Sequence, residues 1–160
     1  MFQLLLIRAG ATEYDEQGRI QGTLDIPLSE DGRRKANAVI AALRGEPIDA
    51  VYASPCESAL HTAEALAEPR DLKAKQLDDL RNLDHGLWQG MLVHDVKAKQ
   101  PKVYRQWVEQ PETVCPPEGE TVAAGKARVA GLLTRLIKRH KKGEQVALVV
   151  PEPLASVVTH

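Results

Sequence analysis

Three short apolar runs most strongly limit how this chain can fold. They lie at residues 2–7, 50–53 and 146–150, and each has the length of a single β-strand. A continuous apolar run without alternation is typical of a strand that is covered on both faces. We therefore predict that residues 2–7 form a central strand of a sheet and that residues 146–150 form another buried strand.

Segments with helical spacing separate these runs. Ser29 is suited to cap a first helix that ends before Gly45, a second helix begins near Cys56, and a third spans residues 120–142. Alternating strands and helices predict an α/β fold with three α-β-α layers around a mostly parallel sheet. The apolar positions that define the helical faces are Ala36, Val39, Ile40 and Leu43, then Ala59, Leu60, Ala63 and Leu66, then Val122, Val129, Leu133, Leu136 and Ile137.

Composition indicates one domain and excludes some partners. The chain has 160 residues, of which 43% are hydrophobic, so we predict a single domain over residues 1–160. The 21 basic and 22 acidic residues give a net charge of −1, which offers no electrostatic reason to expect nucleic acid or a membrane surface as partner. Residues 1–7 are too few for a signal peptide or a membrane span. With only Cys56 and Cys115 present, we predict reduced thiols and a cytoplasmic location.

Five sequence blocks follow one another between residues 4 and 153. They are Leu-Ile-Arg-Ala-Gly-Ala-Thr at 6–12, the glycine-containing loop at 18–32, Ala-Ser-Pro at 53–55, the segment at 80–90, and the stretch 116–120 that precedes the run at 146–150. In this order the blocks resemble the histidine phosphatase (phosphoglycerate mutase-like) superfamily. The resemblance implies a phosphoglycerate mutase-like fold and, as family activity, phosphomonoester hydrolysis or phosphoglycerate mutation.

The resemblance also implies that four catalytic positions have changed. Ala9 stands where the family has its nucleophilic histidine, and Ser58 where it has a phosphate-binding arginine. Asn82 stands at the general-acid glutamate and Glu152 at the second histidine. A methyl group has no lone pair, and an amide neither gives nor takes a proton near neutral pH. We therefore expect no catalytic residues and predict an inactive pseudoenzyme, not an enzyme.

The change at Glu152 places a carboxylate where a phosphate would bind. We hypothesise that this carboxylate pairs with Arg8 and stands in for the phosphate. The alternative is that Glu152 is solvated in a loop. Asp15 adds a second acidic side chain to the same predicted pocket. Either way, we expect phosphate affinity to fall.

Retained residues keep a second function open. Arg8, Thr12, Arg19 and Gln21 match the family and are our candidate ligand-binding residues, although each also has a structural interpretation. The leading hypothesis is a pseudoenzyme that binds an unknown protein partner or forms a homo-oligomer. The alternative is a phosphatase-like protein that retains weak phosphate-ester binding or residual hydrolase activity through Arg8 and Arg19.

Other chemistry finds little support in the sequence. None of the five histidines, at 61, 85, 94, 140 and 160, has a nucleophile or carboxylate at useful spacing, and no cysteine is followed by arginine six residues later. Zinc-ligand spacing and a P-loop lysine are missing, so we predict no cofactor and no metal. The resemblance implies a helix and more sheet after the fourth motif, and residues 154–158 would begin that helix, so whether the domain is truncated at its C-terminus stays open. Whether the catalytic changes are natural or engineered stays open.

Overall fold

A computed structural model describes residues 2–160; Met1, which belongs to the apolar segment 1–7, lies outside the described residues. The four strands within residues 2–160 form one parallel sheet in the order β1-β4-β2-β3. The predicted α/β class is therefore confirmed. The strands are β1 (Gln3–Arg8), β2 (Ala50–Ala53), β3 (Ala74–Gln76) and β4 (Gln145–Val150).

Helices connect the strands on both faces of the sheet. Those described within residues 2–160 are α1 (Glu13–Gln17), α2 (Glu30–Ala42), α3 (Glu57–Ala67), α4 (Val93–Lys99), α5 (Pro101–Glu109), α6 (Val122–Arg139) and α7 (Leu154–Thr159). Short 3-10 turns occur at Glu68–Arg70, Asp78–Leu80, Gly86–Trp88 and Pro111–Thr113. Helices α2, α3 and α6 correspond to the three helices that the sequence predicts.

Side-chain caps set where the long helices begin. Ser29 precedes α2, and its hydroxyl accepts a hydrogen bond from the Gly32 N–H at 2.9 Å, as predicted. Thr121 caps α6 in the same way, through the Ala124 N–H at 3.1 Å. The third helix is therefore shorter than the predicted 120–142. It ends at Arg139, because His140 leaves helical geometry, with φ −94° and ψ 145°.

Strand β4 separates two halves of the core. All six of its residues are buried, and successive side chains point to opposite faces. Val146, Leu148 and Val150 join the apolar cluster that includes α6 and α7. Ala147 and Val149 join the cluster formed with α3. Fully burying one valine or leucine side chain stabilises a fold by about 1.5–3 kcal/mol, so this strand contributes strongly to stability.

Strand β1 lies at the edge of the described sheet, and the prediction of a central, doubly covered strand at residues 2–7 is wrong. β1 pairs with β4 alone, and Leu4 is 37% exposed. The apolar run at residues 2–7 indicates only that the strand is hydrophobic, not where it lies in the sheet. Its place in the sheet depends on pairing with β4, a contact between residues more than 100 positions apart in the sequence.

A third apolar cluster supports the loops beyond the strand ends. Ile20, Trp88 and Val96 form its buried centre, and Trp107 from α5 packs against it. The rings of Trp88 and Trp107 meet edge to face with centroids 5.4 Å apart. Helices α4 and α5 depend on this packing, which explains why local periodicity did not predict them.

We expect Gly32→Ala to lower the free energy of unfolding by about 1–3 kcal/mol. A Cβ at Gly32 would lie 2.8 Å from the backbone C and N of Ala11, and backbone atoms there have no room to move. Urea denaturation measures the change.

The matched control is Gly131→Ala on α6, where a Cβ would meet only the end of the Arg135 side chain at 3.8 Å. This variant should raise the free energy of unfolding by about 0.5–1 kcal/mol, since alanine favours a helix interior. Equal stability of the Gly32 variant and the wild type would contradict the close approach of α2 to Ala11.

Candidate functional site

The carboxyl ends of the strands bring the candidate residues to one edge of the sheet. Arg8 is the last residue of β1 and pairs with Val150, the last residue of β4. Ser54 directly follows β2 and bonds to the Val149 carbonyl through its N–H at 2.9 Å. Ligands of open parallel sheets bind at this edge, so the site lies where such a fold places one.

Arg8 and Glu152 form an ion pair at this edge. The Arg8 Nε donates to Oε1 of Glu152, and the two side chains are 62% and 42% exposed. The hypothesis that Glu152 pairs with Arg8 therefore holds, and a freely solvated Glu152 does not. Exposed ion pairs contribute at most about 1 kcal/mol, so a competing anion can displace this carboxylate.

Ser156 orients the same carboxylate from α7. The second oxygen, Oε2, accepts hydrogen bonds from the Ser156 hydroxyl at 2.8 Å and from the Ser156 N–H at 3.2 Å. Sequence reasoning missed Ser156. The four-residue separation from Glu152, at the predicted start of a helix, is the signal that would have found it.

Asn82 is buried beneath the ion pair and fully hydrogen-bonded. Its side chain is 4% exposed, and its Nδ2 donates to the carbonyls of Gly22 at 3.0 Å and Glu152 at 2.9 Å. Its Oδ1 accepts from the Leu154 N–H at 3.2 Å. The amide thus joins the loop at Gly22 to the turn that carries Glu152.

Thr12 and Gln21 are buried and bonded to each other. The Thr12 hydroxyl donates to Gln21 Oε1 at 2.6 Å, and Gln21 Nε2 donates to the Leu24 carbonyl at 3.3 Å. Thr12 also caps α1, where Asp15 accepts from the Thr12 N–H at 2.7 Å. The structure therefore uses Thr12, Gln21 and Asp15 to shape the loop below the site, and it directs the Asp15 carboxylate at the helix cap.

Arg19 braces a neighbouring loop. Its Nη1 donates to the Gly90 carbonyl at 2.8 Å, and its Nε donates to Gln17 Oε1 at 3.0 Å. Within residues 2–160 no hydrogen bond joins Arg19 to Glu152. Arg8 is consequently the candidate arginine that the structure places at the edge of the sheet with its acidic partner.

Small side chains fill the remaining family positions. Ala9 is partly buried against the α3 side of the core. Ser58 is completely buried, with its Oγ 3.5 Å from Cys56 Sγ. These two positions add no charge to the edge of the sheet.

His85 is a buried histidine beside the site. Its ring meets Trp107 edge to face at 5.6 Å. Burial lowers the pKa of His85 below its ordinary value of 6.5, although Asp84 and Glu120 act in the opposite direction. The imidazole is therefore neutral near pH 7.

A second histidine, His140, is partly buried at the opposite end of the sheet. His140 contacts the Tyr52 hydroxyl at 2.9 Å and Glu144 Oε2 at 2.6 Å. The hydrogen bond from His140 holds the pKa of Glu144 below its ordinary value. Glu144 precedes the first residue of β4, so this chain of hydrogen bonds is a structural contact remote from Arg8.

An apolar crevice adjoins the turn at Glu152. Its volume is about 360 Å³. Pro153 and Ser156 line it next to the ion pair, and Trp107 and Val122 line it farther away. Arg8 and Glu152 do not line the crevice themselves, and Ser156 connects it to the ion pair through its hydrogen bonds to Glu152.

Across the described residues, no group of three or more His, Cys, Asp and Glu side chains is placed to hold a metal ion. From Phe2 to His160, no helix is both long and apolar enough to cross a membrane.

Comparison with known sequences identifies similar proteins. A sequence model of the histidine phosphatase superfamily, branch 1, matches residues 4–152. Phosphoserine phosphatase 1 of Hydrogenobacter thermophilus is 39% identical over 88% of this chain and 66% of its own length. Adenosylcobalamin/alpha-ribazole phosphatase of Salmonella typhimurium is 31% identical over 84% of this chain and 66% of its own length. This chain thus spans less than two thirds of either relative.

Solved structures show the same fold. A mycobacterial glucosyl-3-phosphoglycerate phosphatase in complex with VO3 superposes with a TM-score of 0.93 at 29% identity, covering 99% of this chain and 80% of that one. A phosphoserine phosphatase from Entamoeba histolytica, in which a histidine is mutated to alanine, was solved in complex with phosphoserine. It superposes with a TM-score of 0.85 at 27% identity, covering 99% of this chain and 78% of that one.

The prediction that this chain is not an enzyme is contradicted by these comparisons, because similar proteins are named as phosphatases. The loss of individual catalytic side chains does not by itself establish the loss of activity. Serine proteases stripped of their catalytic triad still exceed the uncatalysed rate by about 10³–10⁴-fold, because binding and electrostatic stabilisation remain.

We expect the stability of the protein to fall as the pH drops from about 7 to about 5, in part because of His85. The unfolded state has the ordinary His85 pKa of 6.5 and the folded state a lower one, so the unfolded state takes up the proton first. The contribution is present above pH 6.5 and is lost as the pH falls toward the folded pKa.

Urea denaturation at several pH values should show a shallower acid dependence for His85→Gln than for the wild type. His94→Gln, at an exposed position on α4, is the control and should keep the wild-type slope. Identical slopes in all three proteins would contradict a neutral, buried His85.

Proposed function

This chain belongs to the histidine phosphatase superfamily, and from that premise we propose that it binds phosphate monoesters at Arg8 and hydrolyses them slowly. The observation that carries the proposal is the exposed Arg8 guanidinium at the carboxyl end of β1, already paired with an anionic oxygen of Glu152. An arginine that binds a carboxylate in this way is suited to bind a phosphate.

Phosphate binding requires Glu152 to leave Arg8. Both ligands offer charged oxygen acceptors, and phosphate carries the larger negative charge. The Arg8–Glu152 pair is exposed, so breaking it costs about 1 kcal/mol or less. The displaced carboxylate would keep its hydrogen bonds to Ser156. Affinity is therefore weak but finite, and it should fall as ionic strength rises.

The histidine-to-alanine phosphoserine phosphatase supports this binding step. That protein was solved with phosphoserine, so replacing a histidine by alanine is compatible with ester binding on this fold. Ala9 is the alanine that follows Arg8 in the present chain. Loss of an imidazole therefore gives no reason to exclude a phosphate ester here.

Hydrolysis at this site would use water as the nucleophile. Ala9 has no lone pair, so no covalent intermediate can form there. The water oxygen would bond to phosphorus as the bond to the ester oxygen breaks, and the proton given up by water would pass to the departing alcohol. Arg8 would stabilise negative charge on the phosphoryl oxygens.

The organic part of the ester would lie in the apolar crevice. Ser156 lines this crevice and also bonds to Glu152, so a phosphate at Arg8 directs its alcohol toward Pro153 and Trp107. This placement favours esters of apolar or aromatic alcohols. 4-Nitrophenyl phosphate is a suitable probe, because its product is coloured.

We expect Glu152→Gln to bind inorganic phosphate about tenfold more tightly than the wild type, a gain of about 1.4 kcal/mol. The variant removes the ion pair that phosphate must break and also the repulsion between the displaced carboxylate and phosphate, while it preserves the shape of the side chain. Isothermal titration at low salt measures the affinity. Arg8→Ala should abolish the heat of binding in both backgrounds.

Glu68→Gln is the matched control. Glu68 is an exposed carboxylate just after the C-terminus of α3, the end of the helix that is distant from the Ser54 turn. It should bind phosphate like the wild type. The proposal fails if Glu152→Gln shows no saturable binding, or if slow turnover of 4-nitrophenyl phosphate survives in Arg8→Ala.

The free thiols of Cys56 and Cys115 support our proposal of a cytoplasmic, reducing compartment. A protein partner or a homo-oligomer stays a prediction.

A further inference from the structure

We infer that Asn82 is a positioning residue that holds Glu152 against Arg8 and thereby sets the phosphate affinity of the site. The inference rests on the proposed function and concerns the regulation of that site. Among the described residues no hydrogen bond joins Asn82 to Arg8, and Asn82 acts through the backbone on either side of Pro153, the residue that follows Glu152. Three hydrogen bonds carry the argument.

Asn82 fixes the turn between β4 and α7 at two points. Its Nδ2 donates to the Glu152 carbonyl at 2.9 Å, and its Oδ1 accepts from the Leu154 N–H at 3.2 Å. Pro153 lies between these two contacts and has no N–H of its own. The Asn82 side chain therefore supplies hydrogen bonding that the backbone of this turn lacks.

Asn82 is itself held rigidly. It is 4% exposed, and its second amide proton goes to the Gly22 carbonyl at 3.0 Å. Gly22 has φ +56°, and a Cβ there would collide with the Gln89 side chain, so this carbonyl is fixed by a closely packed loop. Asn82 therefore fixes the position of Glu152 relative to the loop at Gly22.

An asparagine side chain fits these contacts, whereas aspartate and alanine side chains do not. Two donors and one acceptor are needed in one planar group. Aspartate has the same size but would direct a carboxylate at the carbonyls of Gly22 and Glu152. Alanine would leave both carbonyls and the Leu154 N–H without their partner.

Freeing the turn should weaken the hold of Glu152 on Arg8. A carboxylate on a mobile turn spends less time against the Arg8 guanidinium, so phosphate competes with it more effectively. Phosphate affinity should therefore rise when Asn82 is removed, provided that Glu152 is present. A residue that merely stabilises the fold would have no such dependence on Glu152.

A double-mutant cycle tests this dependence. Phosphate is titrated into the wild type, Asn82→Ala, Glu152→Gln and the double variant, all at low salt. We expect Asn82→Ala to bind phosphate about three- to fivefold more tightly than the wild type. The double variant should bind no more tightly than Glu152→Gln, because the carboxylate that Asn82 positions is gone.

Tyr52→Phe is the control for lost stability. It removes the partly buried hydrogen bond to His140 at the opposite end of the sheet and should leave phosphate affinity unchanged. If Asn82→Ala does not fold, Asn82→Ser replaces it with the same expectation, because a neutral hydroxyl adds no charge to the site. The side-chain amide resonances of Asn82 in the wild type should also shift during the phosphate titration.

Additive effects in the cycle, or unchanged affinity and unmoved amide resonances, would overturn the inference while the proposed function stands. Absence of phosphate binding in Glu152→Gln would contradict the proposed function and, with it, this inference. The two failures are distinguishable because Glu152→Gln is measured with Asn82 intact.

Discussion

The burial of β4 between β1 and β2 organises the whole molecule. All six residues of this strand are buried, and they contribute side chains to both halves of the core. Because β1 and β2 both run parallel to β4, the chain leaves all three strands at the same edge of the sheet. Arg8, the Ser54 turn and Glu152 meet there as a consequence of strand direction. The chemistry of the site follows from this packing, since each residue comes from a distant part of the sequence.

Polar contacts at that edge of the sheet fall into an exposed set and a buried set. Arg8 and Glu152 are exposed and exchangeable, whereas Asn82 beneath them is buried and fully hydrogen-bonded. A weak surface ion pair separates readily when a ligand binds one of its charges. A buried amide loses a hydrogen-bond partner only at a substantial cost in free energy. A weak contact held by a rigid support combines reversibility with defined geometry. We propose that this separation allows phosphate to bind at Arg8 despite the adjacent carboxylate of Glu152.

Local signals predicted part of the fold and of the site. The cap at Ser29, the buried run at 146–150 and the three long helices were confirmed, because caps and periodicity act within a few residues. The predicted central place of β1 in the sheet was wrong, and α1, α4 and α5 were not predicted. Pairing and packing with distant segments determine both the place of β1 and the formation of these helices. The pairing of Glu152 with Arg8 was anticipated from charge alone, but its anchor at Ser156 was not. The conclusion of inactivity failed because residue types do not report the stabilisation that a pocket retains.

The sequence by itself determined the class of the fold, the family and the identity of each side chain at the site. Those properties depend on the order of residue types, which a linear pattern carries completely. Tertiary structure alone decided that Thr12, Gln21 and Arg19 support loops, and that Asn82 joins Gly22 to the turn at Glu152. These roles depend on which donor meets which acceptor across separations such as the 60 residues between Asn82 and Gly22. Such contacts exist only after the strands have paired and the core has closed around them.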